Sequence, residues 1–199
     1  MTLLDQHVLP RLRDYWLRLA LRRVHYADRA DRLDRLYCIE DPWHMGSAKE
    51  QARFTWTNAL IAARFGRPHS LLEIGCGEGH QSRHLATLCG QLYGLDVSAR
   101  AVKRARRRCP DGRFAAGDPF AFGFADAPAV FDLAAACEMI YYVKDVPRFI
   151  ARLSELGRAC LVTYYDGQAP ALDPYFANLP ETGRDSFRHD GVLWHAVWW

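Results

Sequence analysis

Residues 71–79 read Leu-Leu-Glu-Ile-Gly-Cys-Gly-Glu-Gly, and this stretch decides the fold. Four apolar-dominated residues, Leu71 to Ile74, make a short buried strand, and three glycines at alternate positions follow it directly. Glycines there permit a tight turn and let a ligand approach the backbone. Alone, such a loop is equally a nucleotide-binding loop and a sharp strand-to-helix turn. Its surroundings narrow the choice. Downstream, Gln91–Asp96, Arg113–Ala116, Val130–Ala136 and Ala159–Tyr165 read as further strands. Helical stretches alternate with them at His80–Leu88, Ser98–Arg108 and Asp145–Leu156, the last with Asp145 as cap, Pro147 in the first turn and Gly157 past the end. Strand–helix alternation means parallel strands joined by crossover helices. The run FDLAAAC at 131–137 is apolar throughout, as a strand buried on both faces must be. The tail differs: residues 186–189, the turn Asp190-Gly191 and residues 192–199 predict an antiparallel hairpin.

Residues 1–69 read as helical and predict a cap or lid, with 70–199 as the core of one compact domain. Leu9, Leu12, Trp16 and Leu19 recur at helical spacing, as do Leu33, Leu36 and Tyr37. EDPWHMG at 40–46 breaks the period. Ser47 and Glu50 then predict a reciprocal capping box on a helix that stops at Gly66.

Four acids fall at or near strand ends: Glu73, Asp96, Asp118 and Glu138. In open parallel sheets, ligands bind beyond the carboxyl ends of the strands. Asp96 ends the second strand, 17 residues after Gly79, where a carboxylate can accept hydrogen bonds from both ribose hydroxyls. Its alternative role, capping the next helix, falls more simply to Ser98. Asp118 closes the third strand, where an acid can reach an adenine edge or merely shape a turn. Glu138 follows the long apolar strand, with Tyr141 and Tyr142 just after it.

These segments carry a resemblance. LLEIGCGEG, LYGLDVS, AAGD and FDLAAACEMIYYV, in this order over residues 70–165, resemble the successive motifs of class I S-adenosylmethionine-dependent methyltransferases. The resemblance implies a Rossmann-like α/β fold, a mostly parallel seven-stranded sheet with a C-terminal antiparallel hairpin. It implies S-adenosylmethionine as cofactor, bound by Glu73, Gly75, Gly77, Gly79, Asp96, Val97, Asp118, Pro119 and Glu138. Gly75 and Gly77 would contact the methionine part, Asp96 the ribose and Asp118 the adenine amine. The residue after that acid is Pro119, which has no N–H to offer adenine, so Phe120 or ring stacking would substitute. EDPWH and CEMIYYV are further similar to the nodulation protein S family, which N-methylates an amino-sugar group. That implies a small-molecule acceptor, an amine or hydroxyl of a sugar-like or natural-product metabolite. Trp43, His44, Tyr141 and Tyr142 would line its site, and Glu138 would act on it. The alternative is a non-catalytic S-adenosylmethionine-binding or partner-binding module.

Composition excludes other classes. The chain has 199 residues, 50% hydrophobic and 25% charged, so neither a disordered nor a fibrous class fits. Its unbroken apolar runs are strand length, far below the roughly 18 residues of a membrane span. The N-terminus lacks an apolar leader core, and the six cysteines form no CxxC pair. A cytoplasmic protein with reduced thiols and no metal site is the expectation. Net charge is only +3, but Arg100–Arg113 holds seven basic side chains. No aromatics interleave them, so they read as a solvated helix face and not as a nucleic-acid site. Partners are thus expected to be a small-molecule acceptor alone, with the chain a monomer or homodimer. GxGxG, not GxGxxG, disfavours nicotinamide chemistry.

Overall fold

The computed structural model describes residues 24–121, 123–180 and 182–199. The helical reading of Leu9 to Leu19 lies outside them. The described elements are α1 (Ala30–Leu36), α2 (Ala48–Phe65), β1 (Ser70–Ile74), α3 (Ser82–Leu85), β2 (Gln91–Asp96), α4 (Ala99–Arg108), β3 (Arg113–Ala116), β4 (Phe131–Cys137), α5 (Val146–Leu156), β5 (Gly157–Tyr165), α6 (Ala169–Phe176), β6 (Gly183–His189) and β7 (Val192–Trp198). Short 3-10 turns cover Ile140–Tyr142 and Asp166–Gln168.

One seven-stranded sheet runs in the order β3-β2-β1-β4-β5-β7-β6. β1 pairs parallel with β2 and β4, and β7 runs antiparallel between β5 and β6. This is the Rossmann-like arrangement, with its antiparallel hairpin, expected from the sequence. Strand order reverses between β1 and β4, which opens a crevice at their carboxyl ends. β1 is buried at every position, so both faces must be apolar. Leu72, Ile74 and Ala134 join Phe149, Ile150 and Leu153 of α5 on one face. Leu71, Leu133 and Ala135 join Leu60 and Ile61 of α2 and Val102 and Ala105 of α4 on the other.

The helix caps follow the sequence with one exception. Ser98 and Asp145 accept the expected N–H groups of Ala101 and Arg148. Ser47 Oγ accepts Glu50 N–H at 3.4 Å, but Glu50 does not return the bond. Ser47 N–H goes to His44 O at 2.9 Å, and the Glu50 carboxylate turns to Arg53 at 2.8 Å. The predicted helix at 80–88 shortens to Ser82–Leu85, with turns on either side. Two elements were not anticipated: α6, and the start of β6 at Gly183.

Candidate active site

A cavity of about 390 Å³ sits over the carboxyl ends of β1, β2 and β4. The glycine loop forms its floor. Gly75 and Gly77 take φ of +78° and +51°, a region that L side chains rarely adopt. A Cβ on Gly75 would stand 2.7 Å from the Met139 side chain, and one on Gly77 would stand 2.9 Å from the Tyr37 hydroxyl. Gly79 also has φ +78°, but it is outside the cavity lining. Its missing Cβ leaves room for the Ala105 backbone of α4, 2.9 Å from where a Cβ would be, so Gly79 packs a helix instead of touching a ligand.

Asp96 binds the loop to the next strand end. Its Oδ2 accepts Gly77 N–H at 2.9 Å and its Oδ1 accepts Ser98 N–H at 2.8 Å. Burial pushes its carboxyl up to about 6, against those two bonds. A carboxylate has about four lone-pair sites, so acceptor capacity remains for a diol. Glu73, 3% exposed, accepts the Ser82 hydroxyl, and burial pushes it up to about 7. Val97, Asp118 and Pro119 line the cavity as well. Asp118 is exposed, and its Oδ1 accepts Phe120 N–H at 2.9 Å. That bond occupies the donor that Pro119 cannot supply. The Phe120 ring remains as a cavity wall, with the Arg148 guanidinium 4.4 Å from its centroid.

Glu138 stands at the end of β4 with φ +55°. A non-glycine residue in that region carries strain and persists only where its surroundings fix it. Glu138 N–H is held by Thr163 O at 2.9 Å, and its carboxylate accepts Thr163 Oγ1 at 3.2 Å and Tyr141 hydroxyl at 3.3 Å. Burial pushes it up to about 7, opposed by the nearby positive charge of Arg53. Tyr141, Tyr142 and Trp43 surround it: the two tyrosine rings are 4.8 Å apart, and Trp43 lies 5.9 Å from Tyr142. His44 does not join them. It is exposed at φ +53°, in the turn that feeds the Ser47 cap, and is outside the lining.

Several cavity residues were not read from the sequence. Arg53 of α2 is only 1% exposed, donating to Glu50 at 2.8 Å and to Gln81 Oε1 at 3.0 Å. Gln81 Nε2, also buried and in the lining, has no hydrogen-bond partner among the described residues. A buried amide donor without a partner is rare and points to an absent ligand atom. Beside a guanidinium, it suits a carboxylate. Tyr37 covers Gly77 and accepts Trp43 Nε1–H at 3.2 Å. Residues 25–28 brace the tyrosine pair: Tyr26 N–H bonds Tyr141 O, Asp28 N–H bonds Tyr142 O, and His25 packs edge-on to both rings. The lining holds eight acids against two arginines, a balance that favours a cationic ligand.

The basic run on α4 is in large part the solvated face its composition suggested: Arg100, Lys103, Arg106 and Arg107 are exposed. It is not free of the protein, however. Arg106 donates to Phe114 O, and Arg100, Arg104 and Arg108 all meet acids or carbonyls of the protein.

A glycine-cradled crevice thus lies at the switch point, with an acid ending β2 and another just past β4. Residues 72–159 match the methyltransferase domain family. That match covers 88 of the chain's 199 residues, from β1 into β5. Nodulation protein S of Bradyrhizobium diazoefficiens is 31% identical over 136 residues, 62% of this chain and 59% of that protein. A dTDP-3-amino-3,6-dideoxy-alpha-D-glucopyranose N,N-dimethyltransferase of Streptomyces fradiae is 37% identical over 93 residues, 46% of this chain and 35% of that one. The chain thus spans little more than half the length of the first and about a third of the second. In structure, it resembles the N-methyltransferase NodS of Bradyrhizobium japonicum in complex with S-adenosylhomocysteine. The TM-score is 0.66 at 23% identity, covering 84% of this chain and 96% of that one, a likeness of fold.

Proposed function

We propose that the protein binds S-adenosylmethionine in this cavity and transfers its methyl group to a small-molecule acceptor, an amine in preference to a hydroxyl. The observation that carries the reading is the arrangement of Asp96 at the glycine loop and Glu138 across the same cavity, with aromatic rings around Glu138. The names of the relatives, an amino-sugar N,N-dimethyltransferase among them, support the same class of acceptor. The residues fit the cofactor. Asp96 has lone pairs for a ribose diol, Asp118 in the lining at the end of β3 would take the adenine amine, and Gln81 with Arg53 would offer donors to a carboxylate. Acids outnumber bases around the cavity, as a sulfonium and an ammonium require.

When bound, the cofactor supplies a methyl already activated on sulfur. The chain positions the acceptor and keeps water out. Trp43, Tyr141 and Tyr142 present ring faces that attract an ammonium group. Glu138 then removes one proton, which frees the nitrogen lone pair for in-line attack. Thr163 and Tyr141 hold that carboxylate at the end of β4.

We further place the protein in the cytoplasm as a monomer or homodimer that does not bind nucleic acid. No described helix is long and apolar enough to cross a membrane. The bonds of Arg104, Arg106 and Arg108 to groups of the protein itself support the last point. Titration with DNA or RNA is expected to show no salt-dependent binding tighter than about 1 μM. The reading itself is tested by following methyl transfer from labelled S-adenosylmethionine to matched amino and hydroxy sugars. Label is expected on the amino compounds. Cofactor binding without transfer to any of them would favour the non-catalytic alternative.

A further inference from the structure

Arg100, Arg104 and Arg108 recur every four residues along α4 and so share one face. That face meets the segment that roofs the cavity. Arg100 pairs with Asp34, whose other oxygen accepts the Ser98 hydroxyl at 2.7 Å. Arg104 reaches Glu78 Oε1 at 2.5 Å and Ile39 O at 3.4 Å. Arg108 donates to Glu78 O and lies 3.9 Å from the Glu40 carboxylate.

Glu78 is the centre of this set. It lies between two glycines of the loop and is 3% exposed. Burial alone would raise its pKa, yet the Asp41 N–H and the Arg104 guanidinium, with His80 Nε2 at 3.5 Å, hold it below the usual glutamate value. Its Oε2 accepts Asp41 N–H at 3.0 Å. Asp41 in turn accepts Met45 N–H at 2.7 Å. Asp41 and His44 both take positive φ, so the turn is strained and needs such bonds to persist. Tyr37, Pro42, Trp43 and Met45, from this same segment, face the cavity. Asp41, Glu78 and His80 bring ligand atoms within 4.8 Å of one another, and the guanidinium of Arg104 is the cation that this group faces.

We propose that Arg104 and Arg108, acting through Glu78, and Arg100, acting through Asp34, form an ionic latch that positions the strap 34–46 over the cofactor. These are positioning residues: the latch governs how tightly the cofactor is retained, and methyl transfer itself is left to Glu138. The inference rests on the cofactor reading for its functional half, whereas the latch itself is a property of the free protein.

The test uses the full chain. Glu78→Gln keeps the acceptor for Asp41 N–H but removes the charge. Hydrogen exchange without ligand is expected to quicken at Asp41, Met45 and Gly46 by about tenfold, with S-adenosylhomocysteine bound about tenfold more weakly; in Arg100→Ala/Arg108→Ala, whose side chains are outside the cavity lining, kcat at saturating cofactor is expected within about twofold of the wild type. Arg104→Lys, which keeps the charge opposite Glu78, is expected to retain most of the wild-type affinity. Raising NaCl from about 0.05 to 0.5 M should loosen the wild type in the same direction, because the Arg100 and Arg108 pairs are partly exposed. Should Glu78→Gln not fold, the double variant Arg100→Ala/Arg108→Ala carries the test, with a smaller change of the same sign. Unchanged exchange across 39–46 in these variants would overturn the latch. Loss of kcat with unchanged affinity would overturn its positioning role. A wild type that binds no S-adenosylhomocysteine would overturn the cofactor reading instead, and exchange in the free protein would still decide the latch.

Discussion

Asp96→Ala is expected to weaken S-adenosylhomocysteine binding by about 100-fold or more, close to 2.7 kcal/mol. Two losses add. The carboxylate accepts Gly77 N–H and Ser98 N–H at 2.9 and 2.8 Å, and its removal leaves both donors without their acceptor. The ribose hydroxyls also lose their charged partner, and hydrogen bonds to an ionised group are worth about 1.5–3 kcal/mol each. Asp96→Asn separates the two, because an amide oxygen can still accept one loop N–H. We expect Asn to keep most of the thermal stability that Ala loses while still binding weakly. Calorimetric titration of both variants checks this. Affinity within threefold of wild type in Asp96→Ala would remove the nucleoside from this end of the cavity.

Glu138→Gln is expected to behave oppositely, with S-adenosylhomocysteine bound nearly as in the wild type and turnover down about 10²-fold or more. Glutamine preserves the shape: its oxygen accepts from one of the Tyr141 and Thr163 hydroxyls and its NH2 can donate to the other, but it cannot take a proton. The pH profile gives an independent readout. Burial raises Glu138 to about 7, so the group is protonated and idle below that pH and ionised above it. Wild-type kcat/KM for the acceptor should therefore rise with pH through about 7, a limb that Glu138→Gln lacks. Full turnover in the variant, or an unchanged limb, would reduce Glu138 to a structural role.

The parts legible in the sequence are those in which local pattern and tertiary role coincide. β1 with its glycine loop needs apolar residues on both faces and positive φ at the turns, and both requirements show directly in LLEIGCGEG. Asp96 and Glu138 were legible because each follows an apolar strand, and the topology puts strand ends at the crevice. The hairpin was legible from Asp190-Gly191, where φ is positive at both residues. What was hidden depends on contacts distant in sequence. Arg53 precedes Phe54 in a helix read for its caps alone, and only the packing of α2 in the fold leaves it 1% exposed. Tyr37 read as helix core, yet its hydroxyl covers Gly77. The ion pairs of the α4 arginines were hidden because their acids, Asp34 and Glu78, lie 66 and 26 residues from their partners. The resemblance placed Gly79 and His44 at the site. Gly79 packs against a helix backbone, and His44 is exposed in a turn outside the cavity lining.

The central claim is that this cavity holds S-adenosylmethionine, and calorimetric titration of the full chain with S-adenosylhomocysteine tests it most directly, with NAD as control. The structure predicts a low-micromolar Kd, near 8 kcal/mol, and no heat from NAD. No binding of S-adenosylhomocysteine up to about 1 mM, or tighter binding of NAD, would contradict it.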